Sequence, residues 1–352
     1  MSAQMDPFLP TCGHEGVEAD VLLAPLSPRA VEELQGPAKD GRTTARDSDG
    51  RLLARYSGKW AEVPSPSQAS IRIGLQPGLV LKSCWGELVR PALHQALRHH
   101  QAAAVHGAAV DLGTTGGALV CGWSESGKTE VALALVEAGA NFLSDKWTVA
   151  GEDGQISAFP VGVGVRGWVL EALPRLRAGL PRRARAQLLA ARAARVAIRP
   201  AVERSGRGRL ATRGVEAAER VVDLGDRAAL SPSELRRAYG HTADAARRAE
   251  LETVVVLVTG TQDKVVVEDA APEWAAHRLA LTAAYERRDY YNLQERGAYA
   301  DLRGRAQARA ESVDAEEQIL IRALAKAVRV LRVTCPFPGD PRRVVDALAS
   351  HL

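Results

Sequence analysis

The stretch GWSESGKTE, residues 122–130, has the residue types and spacing of a loop that binds phosphate. Gly122 and Gly127 let the backbone wrap around a phosphate, so that main-chain N–H groups donate to its oxygens and the following helix adds its positive end. Lys128 is placed to reach the outer phosphates of a nucleotide, and Thr129 to bind Mg²⁺ through its hydroxyl. The predicted nucleotide-binding residues of the loop are Gly122, Ser124, Glu125, Ser126, Gly127, Lys128 and Thr129.

The elements around the loop are the ones that such a site requires. The run 117–121 predicts a strand that enters the loop, and VALALVEAG predicts a helix that leaves it and ends at Gly139. A short apolar strand over 141–144 then ends at Asp145, and the earlier run AAAVHGAAVDL predicts one apolar strand that contains His106. This context favours a nucleotide site over a surface turn that fits the pattern by accident.

The sequence lacks the second motif of a usual GTPase or motor ATPase. Such proteins carry a strand of four apolar residues that ends in Asp, together with a residue that positions water. The best apolar run, 254–258, is followed by Thr-Gly-Thr, and Asp223 in VVDLGD follows only two valines. The nearest acid at a predicted strand end is Asp145. The residues therefore do not favour a nucleotide hydrolase of that type.

These residues resemble the catalytic core of HPr kinase/phosphorylase and its relatives, which include kinases that modify peptides or free serine. Four elements match in order: a His-Gly pair at His106, the loop itself, Glu130 directly after the loop Thr, and Asp145 after an apolar strand. The resemblance is close over residues 100–150 and looser over 252–269 and the C-terminal LRVTCPFPGDPRRVVDALASHL. It implies an α/β fold with the mixed β-sheet P-loop kinase core of the HPr kinase/phosphoenolpyruvate carboxykinase type, rather than a doubly wound sheet.

The resemblance also implies roles for individual residues. In that family the Asp that matches Asp145 lies near the γ-phosphate and the acceptor hydroxyl, where it serves as general base or metal partner. His106 is expected beside the same phosphate, where it orients groups or stabilises charge, and Glu130 joins the nucleotide-binding residues. The expected catalytic residues are Asp145, His106 and Lys128, the expected metal ligands are Thr129 and Asp145, and the expected cofactors are ATP and Mg²⁺.

One residue departs from the family pattern. Most relatives have two adjacent aspartates at the strand end, whereas this chain reads SDKW, with Lys146 in place of the second acid. A lysine there weakens Mg²⁺ binding, contacts a phosphate or an anionic substrate, or points to solvent. Because Lys128, Thr129 and Asp145 are all present, we expect the chemistry to tolerate a single acid.

The function that we expect is an ATP-dependent phosphotransferase that moves the γ-phosphoryl group to a hydroxyl of a small molecule or a biosynthetic peptide. One alternative is a nucleotide-binding regulator or scaffold without turnover, which Lys146 favours. Another is an HPr-type protein serine kinase/phosphorylase, although the glycine-rich peptide-binding signature of those enzymes has only a faint match in FPVGVGVRGW, where Arg166 is placed to contact phosphate. Related enzymes often assemble, so a homo-oligomer stays open.

Two regions outside the core are expected to shape the acceptor site. Residues 1–95 alternate short apolar runs with turns and predict a separate β-rich region, while 96–352 form the catalytic domain with an Arg-rich helical insertion over 170–220. The segment 175–213 has twelve arginines and one acid. We interpret it as helix with arginines facing water rather than as a nucleic-acid site, because no aromatic residues interleave to stack bases. The predicted buried stripe is Leu176, Leu180, Leu188, Leu189 and Val196.

Several further elements follow from hydrophobic pattern and turn residues. A helix is predicted over 89–100. In the C-terminal third the runs 252–258 and 264–269 flank a turn and predict a β-hairpin. The remaining predictions are helices over 273–287 and 312–329, a closing strand over 330–335 and a short helix after Pro341.

Composition and targeting signals point to a globular protein of the cytoplasm. The 352 residues have a net charge of +4 and contain no apolar run long enough to cross a bilayer. The N-terminal segment lacks the basic flank and apolar stretch of a secretory signal, so we expect a cytoplasmic protein with no membrane partner. The four cysteines form no CxxC pair, which argues against a structural zinc site or a disulfide framework.

Overall fold

The structure is a computed structural model that describes residues 21–27, 44–47, 49–64, 71–159, 161–204, 222, 225–241, 248–261, 263–300 and 308–352. Helices and strands combine in mixed sheets, so the predicted α/β class is confirmed. No helix in these ranges is both long and apolar enough to span a bilayer. The strands are β1 Val21–Pro25, β2 Thr44–Arg46, β3 Leu52–Tyr56, β4 Lys59–Glu62, β5 Ile71–Leu75, β6 Ala102–Val105, β7 Gly107–Asp111, β8 Gly117–Gly122, β9 Asn141–Ser144, β10 Thr148–Gly151, β11 Gln155–Ala158, β12 Val163–Arg166, β13 Arg227–Leu230, β14 Arg248–Thr259, β15 Val266–Asp269 and β16 Arg329–Cys335.

The helices match the predicted ones in the core and differ at their ends. Two short helices joined by a π-helical turn, Trp85–Val89, precede the core, so the helix predicted over 89–100 begins earlier. The helices are α1 Leu81–Cys84, α2 Arg90–Leu97, α3 Lys128–Glu137, α4 Pro174–Gly179, α5 Arg182–Arg204, α6 Pro232–Ala238, α7 Pro272–Glu286, α8 Arg288–Ala300, α9 Ala308–Leu324 and α10 Pro341–Leu348.

The predicted phosphate-binding loop, residues 122–130, is called the phosphate loop below. The strand that enters it lies in the middle of the main sheet. β8 pairs with β14 in parallel and with β7 in antiparallel, and the order across this part of the sheet is β9-β7-β8-β14-β16-β15. A second branch, β6-β10-β11, joins the N-terminal end of β14. All six residues of β8 are buried, as expected for a strand covered on both faces.

Alternating side chains of the central strands pack against helices on both faces of the sheet. On β8 and β14, Val120 and Val255 face the cluster that includes α3, whereas Leu119 and Val254 face α7 and α9. Successive residues of a strand point to opposite faces, so near-continuous apolar runs are needed to fill both layers. This three-layer packing fixes the end of β8, from which the phosphate loop begins.

The predicted hairpin between 252–258 and 264–269 is wrong. β14 and β15 do not pair with each other, because β16 lies between them, parallel to β14 and antiparallel to β15. β8 and β16 occupy both edges of β14, which leaves no edge for β15. The strand that pairs with β15 is instead the C-terminal strand β16.

A separate five-stranded sheet lies in the region predicted as β-rich. Its order is β1-β5-β4-β3-β2. Ile71 and Ile73 of β5 pack with Leu88 and also with Tyr290 and Tyr291 of α8. The sheet therefore shares its hydrophobic core with a helix from the C-terminal half of the chain.

The Arg-rich segment is helical where the structure describes it, in α4 and α5, and residues 205–221 lie outside the described ranges. Leu176, Leu180 and Leu188 are buried as predicted. The prediction is wrong for Leu189 and Val196, whose exposed fractions are 60% and 68%. Successive helical residues are turned by about 100°, so Leu188 and Leu189 cannot both face the same core.

The junction of α7 and α8 is held by a buried ion pair. Arg287 and Glu316 of α9 interact through both guanidinium nitrogens, and each side chain is only 2% exposed. Arg287 Nε also donates to the carbonyl oxygen of Ala283 at 3.1 Å. The pair ties the end of α7 to α9.

Replacing Glu316 by Gln is expected to lower the free energy of unfolding by about 3 kcal/mol, because the buried guanidinium of Arg287 loses its counter-charge. The neighbouring Glu317→Gln variant removes a partly exposed contact with His277 and is expected to cost less than about 1 kcal/mol. Urea denaturation followed by circular dichroism measures both. Equal losses in the two variants would show that the buried pair does not stabilise this junction.

Candidate functional site

The phosphate loop has the backbone that its glycines predict. β8 ends at Gly122 with φ of 147°, and Gly127 begins α3 with φ of 89°. A Cβ atom at Gly122 would lie 2.5 Å from the carbonyl oxygen of Leu257 and 2.8 Å from Ser126 Oγ. Only glycine fits there, because β14 approaches the loop so closely.

The lysine and threonine at the start of α3 are both engaged in the site. Lys128 is buried, and its ammonium donates to the carbonyl oxygen of Trp123 at 2.6 Å. Burial lowers the pKa of Lys128. Thr129 Oγ1 donates to Asp145 Oδ1 at 2.7 Å, so the start of α3 and the end of β9 meet as the sequence predicts.

Asp145 lies at the base of the site with one carboxylate oxygen unused. The residue is 2% exposed, and Oδ2 has no hydrogen-bond partner among the described residues. The same is true of Ser126 Oγ in the loop. Burial raises the pKa of Asp145, and the hydrogen bond from Thr129 opposes that rise. A buried carboxylate oxygen beside a hydroxyl fits either a divalent cation or an incoming O–H group.

His106 lies between two strands rather than within one, which corrects the predicted single strand over AAAVHGAAVDL. The chain bends at His106, with β6 paired to β10 before it and β7 paired to β8 after it. The ring lies 5.2 Å from that of Trp147, and Nδ1 lies 3.6 Å from Glu286 Oε1 at the end of α7. The bend therefore brings His106 from the edge of the sheet into the site.

His106 is a neutral imidazole. Burial, and then the positive charges of Lys128, Arg90 and Lys146, lower its pKa to about 3. Its contact with Glu286 is therefore not an ion pair at neutral pH. A neutral ring orients neighbouring groups through hydrogen bonds and does not add a positive charge.

Lys146 adopts a backbone conformation that is unusual for lysine. Its φ is 63°, and the Trp147 N–H donates to the carbonyl oxygen of Asp145 at 2.8 Å, which closes the turn between β9 and β10. Lys146 is half-buried, so its side chain does not simply point to solvent. Burial, followed by the charge of Arg227, lowers its pKa. A left-handed non-glycine residue beside Asp145 is the kind of strain that accompanies functional sites.

Trp147 is packed rather than available as a pocket wall. It is 1% exposed, and its ring lies 4.2 Å from that of His94. The guanidinium of Arg90 lies 5.4 Å from the ring centroid. Trp123, in contrast, is 53% exposed and lies 4.8 Å from Tyr285, ring to ring. The exposed aromatic surface at this site is therefore the pair Trp123 and Tyr285.

The end of α7 contributes residues that the sequence analysis missed. Tyr285 meets the loop through Trp123, Glu286 approaches His106, and the guanidinium of Arg288 lies 4.4 Å from the Tyr285 ring. No local signal in TAAYERRDYY marks them, because their role depends on how α7 packs on the sheet. They extend the site away from the phosphate loop.

The remaining predicted loop residues divide between surface and interior. Ser124 and Glu125 are exposed, and Glu125 Oε1 lies 3.7 Å from Arg166 Nη2. Glu130 is buried, and burial raises its pKa. It lines a cleft of about 20 Å³ that also borders Gly127, Trp168 and Phe337.

The candidate metal ligands in this site are Thr129 and Asp145. Within the described ranges no three His, Cys, Asp or Glu side chains form a group that could hold a metal ion. Mg²⁺ commonly takes only one or two protein oxygens and completes its shell with phosphate and water. Thr129 and Asp145, already 2.7 Å apart, fit that donor set.

Comparison with known proteins leaves the function to be argued from this geometry. No protein-family model matches the chain, and no curated protein matches it. The resemblance to HPr kinase-like proteins therefore rests on the residues of the loop, His106 and Asp145.

The buried carboxylate predicts an unusual stability effect. An acid whose folded pKa is raised binds more protons when folded, so its ionisation lowers stability as pH rises from its ordinary pKa of 3.8 through the raised value. Asp145→Asn is therefore expected to raise the free energy of unfolding at neutral pH by on the order of 1 kcal/mol. The gain should vanish below the ordinary aspartate pKa.

Urea denaturation at neutral and acid pH measures the difference. Asp314→Asn, at an exposed position, is the matched control and should leave stability unchanged at both. A loss of stability in Asp145→Asn at neutral pH would contradict the assignment of a raised pKa.

The neutrality of His106 is directly testable. With its pKa near 3, its imidazole NMR signals should stay constant between about pH 8 and about pH 5, where an ordinary histidine titrates. The His106 signals are identified as those that are missing from the spectrum of the His106→Gln variant. The urea-unfolded chain gives the reference titration. A midpoint near pH 6 would show that His106 is more accessible to water than its burial indicates.

Proposed function

We propose that this protein transfers the γ-phosphoryl group of ATP to a hydroxyl group of a small molecule or peptide. The observation that carries the proposal is the contact of Thr129 Oγ1 with Asp145 Oδ1 at the end of the phosphate loop, with Asp145 Oδ2 buried and unpartnered. The resemblance to HPr kinase-like proteins supports the same interpretation.

The loop would hold the triphosphate through its main-chain N–H groups and the start of α3. Lys128 would exchange its contact with the Trp123 carbonyl for a phosphate oxygen, since an ammonium group prefers an anionic acceptor. Mg²⁺, held by the oxygens of Thr129 and Asp145, would supply neutralisation of phosphate charge.

Asp145 is suited to prepare the acceptor. Its raised pKa makes it a stronger base than an exposed aspartate, so Oδ2 can take the proton of the incoming hydroxyl. A bond then forms between the acceptor oxygen and the γ-phosphorus, and the bond from that phosphorus to the β–γ bridging oxygen breaks. The products are the phosphorylated acceptor and ADP, with the bond electrons on the departing oxygen.

A second candidate is a nucleotide-binding regulator that does not turn over. Lys146 favours it, because a cation occupies the position at which relatives carry a second carboxylate, and its strained backbone fixes it beside Asp145. Both functions require nucleotide binding, so only product formation separates them.

Lys128→Ala and Asp145→Asn test the assigned roles. With Lys128→Ala, transfer is expected to fall by at least about 100-fold together with nucleotide affinity, since the triphosphate loses a direct charge partner. With Asp145→Asn, kcat is expected to fall by about 10² to 10⁴, since the general base is lost, while affinity for nucleotide measured without Mg²⁺ should change little. Fluorescent ATP titration measures binding, and ADP release over a panel of hydroxyl acceptors measures transfer.

Exposed positions away from the site provide the controls Lys326→Ala and Asp314→Asn, which should behave as wild type. Binding of nucleotide by all variants without any product would favour the regulator. Full transfer activity in Asp145→Asn would show that Asp145 is not the general base.

A further inference from the structure

A large groove lies between α5 and the segment 167–178. Its volume is about 880 Å³, near the upper end of the ~300–1,000 Å³ of ligand sites. Its lining includes exposed arginines and buried leucines: Arg177, Arg185, Arg192, Leu180 and Leu188. The groove thus combines an apolar base with a cationic border.

One face of α5 forms a wall of this groove. Arg185, Leu188, Leu189, Arg192 and Arg195 lie within an arc of about 120° around the helix, with Leu188 toward the buried side and Leu189 at the exposed edge, since successive residues are turned by about 100°. Leu189 is 60% exposed on this face. Leu189, which was predicted to be buried, is therefore an exposed part of a surface that combines apolar and cationic side chains.

The charge of the groove selects its occupant. Among the described residues four arginines line it against two carboxylates, Glu171 and Asp226, and Asp226 is already 3.2 Å from Arg195. An excess of positive charge remains for an acidic ligand.

The groove and the predicted phosphate-binding loop have neighbouring residues in common. Gly167 in the groove lining follows Arg166, whose Nη2 lies 3.7 Å from the loop residue Glu125. Trp168 lines both the groove and the cleft at Gly127. The segment 166–168 therefore connects the groove with the loop.

We propose that this groove binds an acidic, leucine-rich peptide segment that carries the acceptor hydroxyl. The carboxylates of the peptide pair with Arg177 and Arg192, and its apolar side chains pack on Leu188 and Leu189. Stacking of nucleic acid bases is disfavoured because Trp168 is the one aromatic residue of the described lining. The identity of the docked segment as acceptor rests on the proposed function, whereas the docking itself does not.

A binding experiment tests the docking. The probe is a fluorescein-labelled peptide with glutamate and leucine at helical spacing and one serine, titrated with the full chain by fluorescence anisotropy. Reversing Arg177 and Arg192 together to Glu is expected to weaken binding by at least about tenfold, more at low salt than at high salt. Leu189→Glu should weaken it as well.

Two exposed residues of α5 that do not line the groove serve as matched controls. Arg182→Glu and Val196→Glu should leave binding unchanged. All five substitutions are at exposed positions, and thermal unfolding checks that each variant folds. Peptide affinity that is unaffected by the Arg177 and Arg192 reversals, or absent in wild type, overturns the proposal. The proposal is also overturned if oligodeoxythymidylate or a phosphatidylserine vesicle binds this face while the peptide does not.

The experiment can distinguish a failure of the docking proposal from a failure of the phosphotransfer proposal. Lys128→Ala should retain peptide binding while losing phosphorylation of the probe serine. Binding without phosphorylation in wild type supports the docking site and counts against the proposed transfer to peptides. Phosphorylation whose KM is unchanged by the groove variants leaves the transfer standing and overturns the docking.

Discussion

The site depends on a carboxylate that is buried where two elements of the core meet. Asp145 follows β9 and accepts a hydrogen bond from Thr129 at the start of α3, so strand and helix converge on one side chain. The middle of each element is apolar and buried, and Asp145 itself is only 2% exposed. Burial of a charge opposes folding, and the packing of α3 and β9 must offset it. The proposed chemistry would therefore take place at a point that only a large surrounding core can support.

A second constraint acts from the other face of the sheet. The pair of Arg287 and Glu316 fixes the junction of α7 and α8, and the preceding residues Tyr285 and Glu286 reach Trp123 and His106. Buried charges paired in this way restrict how neighbouring helices can pack. The geometry at the phosphate loop thus depends on residues more than a hundred positions away along the chain.

This distance along the chain explains which features the sequence could predict. The loop, α3 and β9 depend on local rules of glycine conformation and hydrophobic spacing, and they were predicted correctly. The hairpin was wrong because strand neighbours in a parallel sheet are chosen by distant segments, here β16. The bend at His106 and the contacts of Glu286 were missed for the same reason. The resemblance to HPr kinase-like proteins suggested that His106 matters, but only the fold gives the neutral state of its ring.

The balance of charge around Asp145 indicates what kind of ligand the site accommodates. Lys128, Lys146 and Arg90 all lie near enough to His106 to lower its pKa, after burial itself. The carboxylates of Asp145, Glu130 and Glu286 all act on Lys128, and Glu286 also acts on Lys146 and Arg90, so acids and cations come close to balancing here. A polyphosphate at the loop would add negative charge, and in low-dielectric surroundings the cations would stabilise it more strongly than they could in water. Under the proposed function Lys146 stands where HPr kinase-like proteins have a second acid, and its charge would favour an anion over a second metal ion.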